Sequence, residues 1–347
     1  MKKLILFLMM FAVLAYGMRD VSLYLVQQTS TRPVIDGDLK DAVWKSVPKH
    51  TAYYEYFKAE PKRSSLVSSF AMCYDEKGVY LAIENFDGKI NSLRKTMTDR
   101  DNPNLWLDDC AEIYIDPSGS AIGFIKFTVN SLGTFRDERR IDASVTEPNW
   151  NSCSSVFKTN IKNDKWTIEA FFSWEDMGRT AKAGDVWRFC HVRYAYSSGK
   201  FVGETSSPGG NYSATDNFGF LRFMSQGESL DTDAIGKLLM PLVTPPWAMD
   251  VGGTLLYNFG KGLQARGISE MVAEAKARVE SLVGDDDIKA SAFTKERDEL
   301  LERSRKAIDG ADGSFDKYKE LSALADALSE FKWKSKLEAE FNAAVKK

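Results

Sequence analysis

The run Ser69-Phe70-Ala71-Met72-Cys73-Tyr74, the polar break Asp75-Glu76-Lys77-Gly78 and the return Val79-Tyr80-Leu81-Ala82-Ile83 decide the fold. Two apolar and aromatic runs around a turn-forming cluster predict a β-hairpin. A second hairpin is predicted where Phe124 to Asn130 meets the turn Ser131-Leu132-Gly133 and returns through Thr134-Phe135-Arg136. Further strand-like runs lie at 110–115, 154–161, 165–172, 186–195 and 218–224. Many short strands at this spacing predict a mainly β domain over 18–226, a two-sheet antiparallel β-sandwich. Neither βαβ alternation nor a phosphate-cradling glycine loop occurs.

Outside that region the texture changes. Ile268, Met271, Val272, Ala275, Val279, Leu282 and Val283 recur at helical spacing. Leu300, Leu301 and Ile308 form a second stripe, and Tyr318, Leu321, Ala325, Leu328 and Phe331 a third. About three amphipathic helices are therefore expected over 262–347, as a small bundle or coiled-coil-like hairpin. Asp285 to Asp287 fits a solvated turn and N-cap better than a metal site. The stretch 227–261, with Pro241, Pro245 and Pro246, is expected as a linker. At the other end, Lys2 and Lys3 precede an apolar run from Leu4 to Ala15, followed by Ala15-Tyr16-Gly17. This predicts a signal peptide over 1–17 and a secreted or periplasmic protein. The run is too short to span a bilayer, which needs about 20 apolar residues.

The composition fits a folded chain of 347 residues, with 44% hydrophobic and 27% charged residues. A net charge of -3 argues against a nucleic-acid-binding surface. Cys73, Cys110, Cys153 and Cys190 show no CxxC spacing, so neither a zinc knuckle nor a redox motif is expected. Three of them lie in strand-like runs, where a lone cysteine packs as a small buried hydrophobe. His50 and His191 are the two histidines, which excludes a His-rich metal centre. No GxSxG elbow supplies a nucleophile. The chain is read as non-catalytic.

Pro33-Val34-Ile35-Asp36-Gly37-Asp38-Leu39-Lys40-Asp41-Ala42-Val43-Trp44 makes local sense as a turn at Asp36-Gly37. Asp38 is expected to cap a short helical turn that drops Ala42 and Trp44 onto the core. The string resembles the opening of carbohydrate-binding module family 9 and its family-9-like (DOMON-like) sandwich domains. So do Arg100-Asp101, the run from Trp106 through Asp108-Asp109 to Asp116-Pro117, Phe127-Thr128-Val129-Asn130, Trp166 to Ala170, Ser173 to Gly178, Gly184 to Phe189, and Phe218-Gly219-Phe220-Leu221. The resemblance covers about 200 residues and no part of 227–347. It implies carbohydrate binding, in which two aromatic rings sandwich a sugar, a Glu and an Arg hydrogen-bond its hydroxyls, and calcium ions brace the loops.

Carried over, the resemblance makes Trp106 the stacking ring and Glu112 the acid. Strand alternation turns Ala111, Ile113 and Ile115 to the core and Glu112 the other way. Arg136 on the neighbouring hairpin supplies the cation. The family's second ring has no Trp here, and Tyr212 or Trp150 stands in for it. Arg100 and Asp109 complete the implied set. Against these, Asp108-Asp109 fits a loop brace, since adjacent strand residues point to opposite faces. Trp44, Trp166, Trp174 and Trp187 are expected in the core. Two functions follow: an exported module that binds oligo- or polysaccharide, or a ligand-free assembly protein whose segment 262–347 binds a partner or itself.

Overall fold

The computed structural model describes residues 19–58, 61–142, 144–209 and 214–345. The predicted signal peptide and Tyr212 lie outside them. The described residues form two compact units, one within 21–229 and one of 230–345 with 19–20.

The first unit is a β-sandwich. One antiparallel block runs in the order Phe135–Arg140, Phe124–Asn130, Cys110–Asp116, Val186–Ala195, Gly219–Met224. The other runs Val67–Tyr74, Gly78–Phe86, Lys165–Ser173, Val156–Lys162. Leu23–Gln28 pairs in parallel with Gly219–Met224 on one side and Val67–Tyr74 on the other. That strand joins the two blocks along one seam, so the sheets are antiparallel within each block and parallel where they meet.

Alternation drives the two layers together. Ala111, Ile113 and Ile115 enter the same buried cluster as Leu81, Ile83, Trp166, Phe172 and Trp187. Rings cross between the blocks there, with Phe127 and Phe172 at 5.1 Å and Phe70 and Phe189 at 5.0 Å between centroids. The four tryptophans assigned to the core are all buried. Cys73, Cys110 and Cys190 are buried free thiols and Cys153 is an exposed one.

The Pro33–Trp44 string docks on the outside of the second block through Glu169. The Trp44 indole donates to its Oε1 at 2.7 Å, and the Asp36 and Gly37 amides donate to its Oε2 at 3.0 and 2.9 Å. Gly37 has φ +86° and comes so close to the Thr159 backbone that a Cβ would lie 2.9 Å from it. Val43 and Trp44 are the residues buried by the turn Val43–Ser46, while Ala42 stays exposed. Asp38 does not cap that turn; it is ion-paired with Lys162 instead.

At the far end of the interior the sandwich turns polar. Arg193, wholly buried, donates to the carbonyls of Val67 and Phe86 and pairs with Asp87 at 3.1 Å and Glu204 at 3.8 Å. His191, also buried, shares a 2.7 Å hydrogen bond with the Tyr53 hydroxyl through Nδ1.

The second unit corrects two expectations. The stretch 227–261, expected as a linker, holds the helix Thr232–Leu239, capped by the Asp231 side chain, and the strands Trp247–Val251 and Thr254–Asn258. The region 262–347, expected as helical throughout, opens with a strand, Leu263–Gly267. With Arg19–Asp20 these form a four-stranded sheet. The hairpin signal was present: two apolar runs flank Gly252-Gly253, whose φ of +59° and +86° suit a tight turn. Three nearby prolines obscured it. Ala248, Leu255 and Tyr257 pack in one cluster with helices Ile268–Val283, Thr294–Asp309 and Phe315–Val345. Asp285 caps the short helix Asp286–Lys289 by accepting from the Asp287 and Ile288 amides. Among the described residues, no helix is long and apolar enough to cross a membrane.

Candidate functional site

The outer face of the first block carries a row of charges on three adjacent strands. Register sets Glu112 opposite Thr128 and Thr128 opposite Arg136; one step on, Tyr114, Lys126 and Glu138 are aligned. Lys126 lies 2.7 Å from Glu112 and 3.5 Å from Glu138, and Arg136 pairs with Glu138 at 2.8 Å. The row therefore runs Glu112, Lys126, Glu138, Arg136, with alternating sign and increasing exposure. Burial pulls the Lys126 ammonium down, but Glu112 and Glu138 more than offset it and hold its pKa above the usual lysine value.

Tyrosines wall the buried end. The Tyr114 and Tyr194 hydroxyls donate to Glu112 Oε2 at 2.6 and 3.1 Å, and the Tyr56 hydroxyl lies 3.3 Å from that of Tyr194. Burial first, and then the Glu112 charge, push both tyrosine pKa values well above the ordinary range. The two hydroxyls thus stay protonated and donate at any physiological pH.

Exposed rings rim the same side. Phe201 stands 5.4 Å from Tyr194 and 5.5 Å from Tyr196, and Phe57 lies 4.0 Å from Tyr56. Gly203 is required here, because a Cβ would come 2.9 Å from the Phe201 ring and 3.0 Å from Tyr56 Cβ. Trp106 sits on the 3-10 turn Leu105–Leu107, just before the Cys110–Asp116 strand, and is 46% exposed. The Tyr196 hydroxyl donates to its carbonyl at 3.1 Å.

Among the expected site residues, Trp106 is uncovered, and Glu112 and Arg136 share one row. Glu112 differs from expectation in being only 3% exposed, with its oxygens taken by Lys126, Tyr114 and Tyr194. Asp109 is likewise buried, accepting from the Arg94 and Tyr196 amides at 2.6 and 2.9 Å; burial raises its pKa. It braces loops and does not face solvent. Asp108 does the same for Thr96, Met97 and Asn130.

Two residues lie elsewhere. Trp150 lines a separate cavity of about 440 Å³ with Arg139, Arg140, Asp116 and Cys153, and packs on Phe127. Arg100 bonds Asp137 and Asn151 and covers the Phe135 ring at 4.3 Å. Lys126, Glu138, Tyr56, Tyr194 and Phe201 were missed. Lys126 and Glu138 were legible, since the alternation that turns Glu112 outward also turns them outward.

The bracing calcium implied by the resemblance finds no fit. Among the described residues, no three Asp, Glu, His or Cys side chains are grouped to hold a metal ion. Asp116 is filled by the amides of Ser118, Gly119 and Ala121. The braces are N–H groups.

Solved structures similar to this chain include a family 9 carbohydrate-binding module from Caldicellulosiruptor kristjanssonii in complex with cellotriose. It is 17% identical over 60% of this chain and 97% of its own, with a TM-score of 0.44. Another from that organism, in complex with glucose, is 16% identical over 60% and 99%, with a TM-score of 0.44. No curated protein matches the chain. The family model for carbohydrate family 9 binding domain-like proteins matches residues 35–225, more than half the chain, and the chain belongs to that family.

Proposed function

We propose that this is an exported, non-catalytic carbohydrate-binding protein whose site is the outer face of the first block. The exposed Trp106 indole beside a sheet face bearing alternating, partly uncovered charges carries this reading. One face of a pyranose presents C–H groups that pack on an aromatic ring. Its paired hydroxyls suit planar charged groups that donate or accept in twos. Arg136 and Glu138 offer such groups at the open end of the row, with the Lys126 ammonium beside them. Glu112 acts beneath them as a positioning residue, since it fixes Lys126. Phe201, rather than Trp150, is the second ring this reading uses, since it stands beside Tyr194 and Tyr196 whereas Trp150 lines a separate cavity.

Glu112 and Glu138 share one lysine on one sheet face. A glycoside hydrolase needs two carboxylates on opposite sides of the scissile bond, and this pair does not flank a gap.

Calorimetric titration with cellotriose and glucose, preceded by a glycan array, tests the proposal. The unmutated protein should bind at least one glycan without releasing a product. Trp106→Ala should weaken that binding about tenfold or more while the protein stays folded, because the ring is 46% exposed and belongs to no buried cluster. Binding to no glycan, or binding indifferent to Trp106→Ala, would overturn it.

A further inference from the structure

Trp150, left aside by the site on the outer face, lines the cavity of about 440 Å³ at the Asp116 end of the Cys110–Asp116 strand. Trp106 precedes the other end of that strand, about 20 Å away along it. The volume falls in the range of about 300–1,000 Å³ usual for small-ligand sites. Phe124, Ile125 and Met177 give the cavity an apolar floor, and all three are buried.

Two buried carboxylates fix the loop that carries Trp150. Asp137 accepts from the Ser152 amide and hydroxyl at 2.8 and 2.6 Å, and Asp176 accepts from the Cys153 and Ser154 amides at 2.6 and 3.0 Å. The indole is held 6.3 Å from the Phe127 ring centroid and 5.7 Å from the Arg139 guanidinium, and it stays half-exposed. Most charges around it are already engaged. Arg139 bonds Glu147 through Nε and Nη2, Arg179 donates to the Pro117 carbonyl, and Asp116 and Asp176 accept from backbone amides. Two groups of opposite sign remain. Among the described residues, Arg140 hydrogen-bonds only through Nε, to the Asp142 carbonyl at 2.9 Å, and the exposed Glu175 has no ion pair.

We infer that this cavity is a second carbohydrate site, which takes a neutral sugar ring with Trp150 as its platform and Arg140 and Glu175 as its hydroxyl partners. The ligand class rests on the carbohydrate reading above; the residues are different ones. The charges select a neutral, hydroxyl-rich ligand. An apolar molecule would strip water from Arg140 and Glu175 without replacing its hydrogen bonds. An anion would meet Glu175, Asp116 and Asp176, and a cation would meet Arg139, Arg140 and Arg179. A pyranose lays C–H groups on an indole, while its hydroxyls donate to a carboxylate and accept from a guanidinium.

Cys153 reports on the cavity, because it lines it and is the one exposed cysteine of the four. Its alkylation by iodoacetamide, followed by mass spectrometry, is timed with glucose, galactose, mannose, xylose, arabinose or glucuronate at about 10 mM. At least one neutral sugar should slow the reaction about tenfold, the protection given by a ligand at about ten times its Kd. Trp150→Ala should abolish that protection. Because this ring packs on Phe127, Glu175→Ala, on an exposed side chain, is the second variant. It should cut the protection to about twofold, since losing one hydrogen bond to a charge weakens binding about tenfold. Trp106→Ala should leave the protection intact. No protection by any neutral sugar, protection by glucuronate alone, or protection indifferent to Glu175→Ala would overturn the inference. So would its loss in Trp106→Ala, which would make the cavity part of the outer-face site. Protection of Cys153 beside calorimetric binding that ignores Trp106→Ala would overturn the outer-face site alone, so the two proposals fail separately.

Discussion

Glu112→Gln separates a carboxylate that anchors the charged row from one that only decorates it. The substitution keeps shape and leaves an oxygen to accept from Tyr114 and Tyr194. What it removes is the charge 2.7 Å from Lys126, whose remaining partner, Glu138, is at 3.5 Å. An exposed pair would cost under about 1 kcal/mol. Stripping one partner from a fully buried pair costs about 3–5 kcal/mol, mostly through the stranded charge. The Lys126 side chain is 16% exposed, so a loss of roughly 2–3 kcal/mol is expected. For a domain of this size that is a fall in Tm of about 4–12 °C. Urea unfolding followed by tryptophan fluorescence reads it. Lys126→Met added to Glu112→Gln should regain at least about 1 kcal/mol, because no lone charge is then left on the sheet. A loss below about 0.5 kcal/mol, or a double variant equal to the sum of the singles, would refute the anchoring role.

Two further outcomes concern the polar end of the interior. Arg193→Met strands Asp87 and Glu204 in the sandwich and removes donors from two backbone carbonyls, so it should cost about 3–5 kcal/mol; a loss under about 1 kcal/mol in urea unfolding would contradict this. His191 should make the protein acid-labile. Burial, and then the Arg193 charge, lower its folded pKa to about 3, whereas the unfolded imidazole titrates near 6.5. The unfolded state therefore takes up the proton first. The contribution of His191 is full above pH 6.5 and shrinks as pH falls towards 3, by roughly 2 kcal/mol at pH 5. His191→Gln should flatten that part of the stability–pH curve, and an unchanged slope would count against it.

What the sequence disclosed follows from the range of the forces involved. The hairpins 67–86 and 124–140 were legible because turn residues and alternation act within a few positions. Alternation also gave the correct faces of Ala111 to Ile115. The parallel seam at Leu23–Gln28 was not legible, since its partners lie about 45 and 195 residues away and nothing in the strand names them. Nor was the burial of Glu112, because exposure depends on Tyr114, Tyr194 and Lys126, from three different strands, converging on one carboxylate. The sheet formed by 247–267 was missed for a different reason. Its prolines outweighed a Gly-Gly hairpin that was visible.

The acid pair Asp108-Asp109 shows how a loop brace can still bear on binding. Asp108 holds the Thr96 and Met97 amides and the Asn130 side chain, while Asp109 holds the Arg94 and Tyr196 amides. Tyr196 then donates its hydroxyl to the carbonyl of Trp106. Each carboxylate is buried and accepts from part-buried N–H groups, and a charged buried group left without such donors costs about 1–3 kcal/mol or more. The turn carrying Trp106 is thus fixed at its backbone while its indole stays in solvent. An exposed ring on a rigid turn loses little entropy when it stacks. On this view neither acid has to touch a ligand to matter for affinity: both act through the position of the ring. In the proposed site Glu112 acts in the same manner, through Lys126, on the strand that directly follows Asp109, and the groups left to meet a ligand are those at the open end of the row.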